Sequence, residues 1–287
     1  MHFVQAKHIL SPSGGMNLYR GCTHGCIYCD ARSDCYHMDH AFEDVAVKEN
    51  ALTLLETTLA RKRRKTMLGL GAMSDPYQPL EERLGYTRQA LQLAARYGFG
   101  FTLITKSACV LRDLDLLERL HHETKCVVQM TLTTFDDTLC RQIEPNVSLT
   151  SERIAALKTL QQVGIPTVVW LSPFLPFLND TEKNLHALLD ACADCDVTGI
   201  LCFGIGLTLR AGNREYFYTQ LDRRFPGLKE QYQRRYGEAY VVTSPHNDRL
   251  MAHFHQTCAK RHILHDNTAI FRYLHDYTPT EKQQRLF

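Results

Sequence analysis

The sequence has little net charge and no long hydrophobic run, and each lack removes a class of function. Its 33 Lys and Arg nearly cancel 31 Asp and Glu, leaving a formal charge of +2 over 287 residues. No strong global field therefore argues for nucleic acid or a membrane surface as a partner. No apolar stretch reaches the roughly 20 residues that cross a bilayer. The opening run MHFVQAKHIL has no long apolar core of the kind that marks a secretory leader. A cytoplasmic location is therefore expected, where thiols stay reduced and cysteines serve metals or chemistry. The C-terminal region lacks a cysteine array, since Cys258 stands alone there. What remains, 44% hydrophobic and 22% charged, is the composition of a globular chain long enough for one large domain or a domain with an extension.

Three of the 11 cysteines lie within eight residues, in the run C22-T-H-G-C26-I-Y-C29. A C-x3-C-x2-C segment with a glycine inside it can wrap one small object. Three thiolates can hold three irons of a 4Fe–4S cube and leave the fourth open, whereas electron-transfer clusters usually close with a fourth cysteine. An open iron can chelate a ligand, as open catalytic metal sites do. The same stretch also offers zinc a fourth ligand, from His24, Cys35, His37 or His40.

Tyr28 directly precedes the third cysteine, and C-x3-C-x-aromatic-C resembles the signature of the radical S-adenosylmethionine (SAM) superfamily. The resemblance implies that Cys22, Cys26 and Cys29 bind a 4Fe–4S cluster whose open iron is chelated by SAM. It implies that Tyr28 lies by the adenine, and that reductive cleavage yields a 5′-deoxyadenosyl radical that abstracts hydrogen from a substrate. An electron donor such as flavodoxin or ferredoxin is implied as well.

Strand-like and helix-like segments alternate. Strands are expected at 16–20, 66–71, 99–105, 126–132, 166–171 and 199–204. Helices are expected at 43–64, 83–97, 111–122, 151–163 and 182–192, with Gly98 and Gly164 as stop signals and Glu152 in a capping-type run. Such alternation implies parallel strands with right-handed crossovers, in a partial barrel or an open doubly wound sheet. Either gathers its chemistry at the C-terminal strand ends. The resemblance selects a partial (β/α)6 TIM-type barrel of the radical SAM type. From about Arg210 the rhythm changes to helices interrupted by Pro and Gly. We therefore divide the chain into a core domain, 1–209, and a helical C-terminal extension, 210–287.

Beyond the second main strand runs G69-L-G-A-M-S74-D75-P76-Y77-Q78-P79-L80-E81. Asp75 before Pro76 is biased to extended backbone, and the turn projects polar groups over the barrel mouth. Ser74 and Asp75 are expected to hydrogen-bond a cationic group such as the SAM amine; a plain Asp-Pro turn is the alternative. The run resembles the S/T-D-x-Y-Q-P-x-E pattern of the spore photoproduct lyase-like family. In I104-T105-K106 the resemblance makes Lys106 the contact to the SAM carboxylate. In M130-T-L-T-T it makes Thr131 or Thr133 the hydroxyl near the SAM ribose. One position departs: where that family has a hydrogen-donating cysteine two residues before its Ser-Asp pair, this chain has Ala72. Repair of the spore photoproduct is thus put in doubt. A lyase acting on a nucleotide-like or nucleic-acid substrate is expected, with queuine lyase one related activity. A radical SAM enzyme acting on a peptide or small metabolite and a non-catalytic Fe–S or zinc module are the alternatives.

Cys140, in D137-T-L-C140-R-Q-I-E144-P, is the candidate hydrogen-atom donor at the barrel mouth, and the sequence does not separate it from Cys109 or Cys202. Cys192 and Cys195 form C-x2-C, read as two packed residues at a helix end. The run R61-K-R-R-K65 reads as a solvated helix end. Phe217, Leu221 and Phe225 recur at four-residue spacing, a core-facing helix stripe rather than a stacking surface.

Overall fold

The computed structural model describes residues 1–277. Three short strands open the chain: β1 (His2–Val4), β2 (Gly15–Met16) and β3 (Tyr19–Arg20). After the cysteine loop come β4 (Ala46–Lys48), α1 (Ala51–Arg61) and β5 (Met67–Leu70), then α2 (Glu81–Leu84), α3 (Tyr86–Arg96) and β6 (Gly100–Thr105). The alternation continues through α4 (Leu114–Glu123), β7 (Cys126–Thr131), α5 (Asp137–Ile143), α6 (Thr150–Gln162), β8 (Thr167–Trp170), α7 (Glu182–Asp194) and β9 (Gly199–Leu201).

Six strands form one wholly parallel sheet in the order β2-β5-β6-β7-β8-β9. Each strand pairs with the next in sequence across a helical connection, which is the (β/α)6 partial barrel expected. Both faces of these strands are covered, so their sequences are apolar runs rather than alternations. Leu68, Phe101, Val128, Val169 and Ile200 pack in the main core with Leu55, Leu91, Leu117, Leu157 and Leu188 of the helices. On the opposite face Val127, Val168 and Leu201 pack against Ile270 and Leu274 near the C-terminus.

Pairing across the chain overrides local pattern in three places. The segment 16–20 is not one strand: β2 joins the barrel, whereas β3 turns away to pair antiparallel with β4 in a second sheet, β1-β4-β3. The helix expected from residue 43 begins only at Ala51, because Ala46–Lys48 is claimed by β1 and β3. The helix expected at 83–97 is split at Gly85, whose φ of 63° ends α2 and restarts the chain as α3.

The segment after Arg210 is helical as expected, in α8 (Asn213–Arg224), α9 (Leu228–Tyr236), α10 (Asn247–Lys260) and α11 (Asn267–His275). It also holds a strand that the sequence did not signal. Preceded by β10 (Gly206–Thr208), β11 (Val241–Thr243) returns antiparallel to it. Residues 278–287 of the expected extension lie outside the described residues. Phe217 and Leu221 are fully buried against Ile27 and Tyr28, so α8 seats the cysteine loop. Cys192, Cys195 and Cys258 are buried in the main core as packing groups.

Gly71, just past β5, has a φ of 104°, and a Cβ there would collide with the Ile104 carbonyl oxygen and meet Pro76 Cδ at 2.9 Å. Gly71→Ala is expected to cost about 2–4 kcal/mol from strain and overpacking combined. Denaturant midpoints of the two proteins check this.

Candidate active site

At the C-terminal ends of the six parallel strands lies a cavity of about 1030 Å³. Cys22, Cys26 and Cys29 line one side of it, and Gly71 to Asp75, Lys106, Thr131 and Cys202 line the strand ends.

Backbone contacts fix the cysteine loop. Cys22 N–H donates to Phe42 O at 3.1 Å, Ile27 N–H to Ile143 O at 3.0 Å and Asn146 N–H to His24 O at 3.1 Å. Gly21 permits the first contact: its φ is 91°, and a Cβ there would strike the Phe42 carbonyl. Among the described residues, the three sulfurs do not form a set with every ligand atom within 4.8 Å of the others. A tetrahedral zinc ion, with Zn–S bonds of about 2.3 Å, would hold its sulfurs under about 4 Å apart. The donor set therefore suits a multi-atom cluster better than one ion. Burial pushes the Cys26 and Cys29 thiols above their usual range, with Lys106 pulling the other way. Thiolates form here when cationic centres stand beside them.

Asp75 and Ser74 both line the cavity, but their hydrogen bonds turn inward. Asp75 Oδ1 accepts from Tyr77 N–H at 2.8 Å and Thr105 Oγ1–H at 2.6 Å. Its Oδ2 accepts from Lys106 N–H at 2.8 Å and lies 3.4 Å from His24 Nδ1. Burial opposes both charges, yet pairing prevails: His24 is pushed up to about 10 and Asp75 down to about 2. Ser74 Oγ–H donates to Gly21 O at 2.6 Å and accepts from Gln78 Nε2–H at 2.9 Å. Gln78 Oε1 in turn accepts from Thr23 N–H at 3.1 Å. These bonds bolt the cysteine loop to the segments that follow β5 and β6. Gln78 and His24 share this task, and sequence reasoning gave neither that role. Glu81 is similarly internal, accepting from Tyr19, from Arg112 and from the N–H groups that open α3.

Asp75→Ala is expected to destabilise by about 3 kcal/mol or more, because buried N–H donors and His24 lose their acceptor. Asp75→Asn, which keeps one acceptor oxygen, should lose less. Thermal melts of the two variants check the order.

Lys106 lies near Cys26 and Cys29, its Nζ 5.9 Å from the Tyr28 ring centroid. Burial alone would lower its pKa, but Cys26, Glu144, Asp75 and Cys29 outweigh it and hold the ammonium charged. Behind Tyr28 lies a buried network that sequence reasoning missed. Tyr28 O–H donates to Glu144 Oε1. Arg153 Nη2–H donates to Glu144 Oε2 at 2.5 Å, and its Nη1–H donates to Thr131 O at 2.6 Å. Arg153 is 0% and Glu144 1% exposed. Arg153 shares one face of α6 with Ala156, Leu157 and Leu160, so an arginine in a core stripe was the available signal.

Two assignments change. Cys140 does not reach the cavity: its thiol is fully buried, 3.1 Å from Arg153 Nη2 and 3.7 Å from Glu144 Oε2. Sealed within that ion pair, it is not placed to meet a substrate. Cys109 is exposed but not among the lining residues, whereas Cys202 lines the cavity. Of the two threonines, Thr131 lines the cavity and Thr133 does not; Thr133 O instead accepts from Asn179 and Asn184.

A sequence model described as the Radical SAM superfamily matches residues 16–189. An uncharacterised protein of Mycobacterium tuberculosis is 29% identical over 258 residues, covering 88% of this chain and 75% of that one. A protein of Pseudomonas phage M6 named radical SAM Nalpha-GlyT isomerase is 22% identical over 185 residues, covering 64% of this chain and 37% of that one. In fold, a spore photoproduct lyase variant with bound AdoMet and dinucleoside spore photoproduct aligns with a TM-score of 0.61 at 15% identity, over 91% of this chain and 77% of that one. With the family matched over more than half its length, the chain belongs to the radical SAM superfamily and is an enzyme whose cofactors are a 4Fe–4S cluster and SAM.

Proposed function

We propose that Cys22, Cys26 and Cys29 hold the cluster, that Tyr28, Lys106 and Thr131 face SAM, and that Ser74 and Asp75 position the loop between them. The observation that carries this reading is their convergence on one cavity at the strand ends. Cluster and SAM together supply one-electron cleavage and hydrogen-atom abstraction. The chain's own part is to orient and exclude. Lys106 presents a buried positive charge suited to the SAM carboxylate, Tyr28 offers an aromatic face, and burial of Cys22 and Cys26 keeps water from the reacting atoms. A flavodoxin- or ferredoxin-type protein supplies the electron on this reading. Residues 1–209 carry the chemistry, and the segment from 210 covers the cavity through β11, α10 and the start of α11.

For substrate, we favour a lyase reaction on a nucleotide-like or nucleic-acid fragment. Phe203 lines the cavity at 58% exposure, its ring 5.7 Å from that of Trp170, an exposed aromatic surface on which a base can stack. The neighbour crystallised with a dinucleoside spore photoproduct is in keeping with a nucleotide-like substrate.

The test is to incubate reduced, reconstituted protein with SAM and deuterated pools of nucleosides or oligonucleotides, of peptides, and of small metabolites. The expected result is 5′-deoxyadenosine that gains deuterium from the nucleotide pool. Deuterium from the peptide or metabolite pool alone would overturn the substrate class. Absence of 5′-deoxyadenosine under all conditions would overturn the assignment of the site.

A further inference from the structure

On the edge of the small β1-β4-β3 sheet, away from the cavity, three metal-ligating side chains converge. The ligand atoms of His2, His40 and Asp44 all lie within 4.8 Å of one another. Their placement is fixed by the fold: His2 N–H donates to Val45 O at 3.1 Å, and β1 pairs in register with β4, His2 opposite Ala46.

We propose that His2, His40 and Asp44 form a site for a divalent first-row metal ion of the zinc class, separate from the cluster. The orientation of His40 carries the inference. Its Nδ1 lies 3.0 Å from Ala41 O, a carbonyl that can only accept, so Nδ1 bears the proton and Nε2 keeps its lone pair. That Nε2 is buried and has no hydrogen-bond partner among the described residues. An imidazole whose one nitrogen is tied to a backbone carbonyl and whose other is left free is the arrangement that orients metal-binding histidines. Across from it, His2 Nδ1 lies 3.0 Å from Asp44 Oδ2. An ion with bonds of about 2.0–2.2 Å holds neighbouring N and O ligands about 3.3–3.5 Å apart, so it fits where these two now share a proton. Asp44 Oδ1 remains with the N-terminal amine at 2.9 Å. Two imidazoles and a carboxylate match zinc, cobalt or nickel rather than calcium or magnesium.

The site flanks the active centre. Phe42 lies between His40 and Asp44, and its carbonyl accepts the Cys22 N–H at 3.1 Å. An ion bridging both flanks holds the segment against which the cysteine loop rests.

The experiment uses tag-free, cluster-loaded protein and, in parallel, a C22A/C26A/C29A variant in which zinc cannot occupy the cluster thiols. Zinc is titrated by calorimetry, and cobalt is followed by its visible bands. The expected result is one saturable equivalent in both proteins, weakened at least tenfold in H40Q and in D44N, with a raised melting temperature on zinc addition that H40Q does not show. No saturable binding in either protein, or binding undiminished in H40Q and D44N, would overturn the proposal. Because the second protein carries no cluster, this outcome is independent of the cofactor assignment.

Discussion

Methionine in place of Arg153 is expected to lower the free energy of unfolding by about 3–5 kcal/mol, the usual cost of stripping one partner from a buried ion pair. Arg153 has no solvent exposure and bonds Glu144, Thr131 O and Cys140 at once. Without it the Glu144 carboxylate is buried beside Tyr28 with only the more distant Lys106 to oppose its charge. The pair itself is not the reason for net stability, because burying two charges costs about as much as their attraction returns. Arg153→Met with Glu144→Gln should therefore recover much of the loss, since the amide still accepts from Tyr28. Urea titrations of the three proteins at neutral pH decide this. The pH dependence follows from sign. Burial would raise the Glu144 pKa, but Arg153 and Lys106 prevail and hold it below the usual carboxylate range. Its contribution is full above the unfolded carboxylate value near 4.5 and is lost as pH falls through the lower folded value. Glu144→Gln should remove that acid-side increment of stability. If Tyr28 and Thr131 face SAM as proposed, their displacement should also weaken SAM binding, which a mere loss of stability would not do.

Alanine in place of Cys26 is expected to abolish 5′-deoxyadenosine formation and to leave the chain folded. The loop does not depend on the thiol for its shape: Ile27 N–H still finds Ile143 O, and Cys22 N–H still finds Phe42 O. With the three cysteines as the proposed ligands, the substitution removes one of three anchoring sulfurs, and iron content should fall. Iron content and far-UV circular dichroism measured together separate this outcome from unfolding. The same substitution at Cys140 should leave iron content unchanged, because that thiol lies within the Arg153–Glu144 pair and outside the cavity.

The barrel was legible because β5 to β9 are buried on both faces, so each reads as a short apolar run between glycines and helical periods. The N-terminal strands were not. Ala46–Lys48 has no strand signature of its own and becomes one through β1 and β3, which lie far away in sequence. β11 is invisible for the same reason, existing through its ladder with β10. Cys22, Cys26, Cys29, Lys106 and Thr131, which local motifs single out, all line the cavity. The internal bonds of Ser74 and Asp75 were not legible, because spacing shows which groups are near a mouth and not which partners they already have. Asp75 is satisfied by His24, Tyr77, Thr105 and Lys106, three of them beyond the reach of a local pattern. Arg153 was visible in principle, as a charge in the buried stripe of α6.

The most direct test is electron paramagnetic resonance of the anaerobically reconstituted, reduced protein, titrated with SAM, alongside counts of iron and sulfide. The expected result is a 4Fe–4S signal whose shape changes on SAM addition and which is lost in the Cys26→Ala variant. One four-coordinate zinc on these same sulfurs, or a cluster signal that SAM leaves untouched, would contradict it.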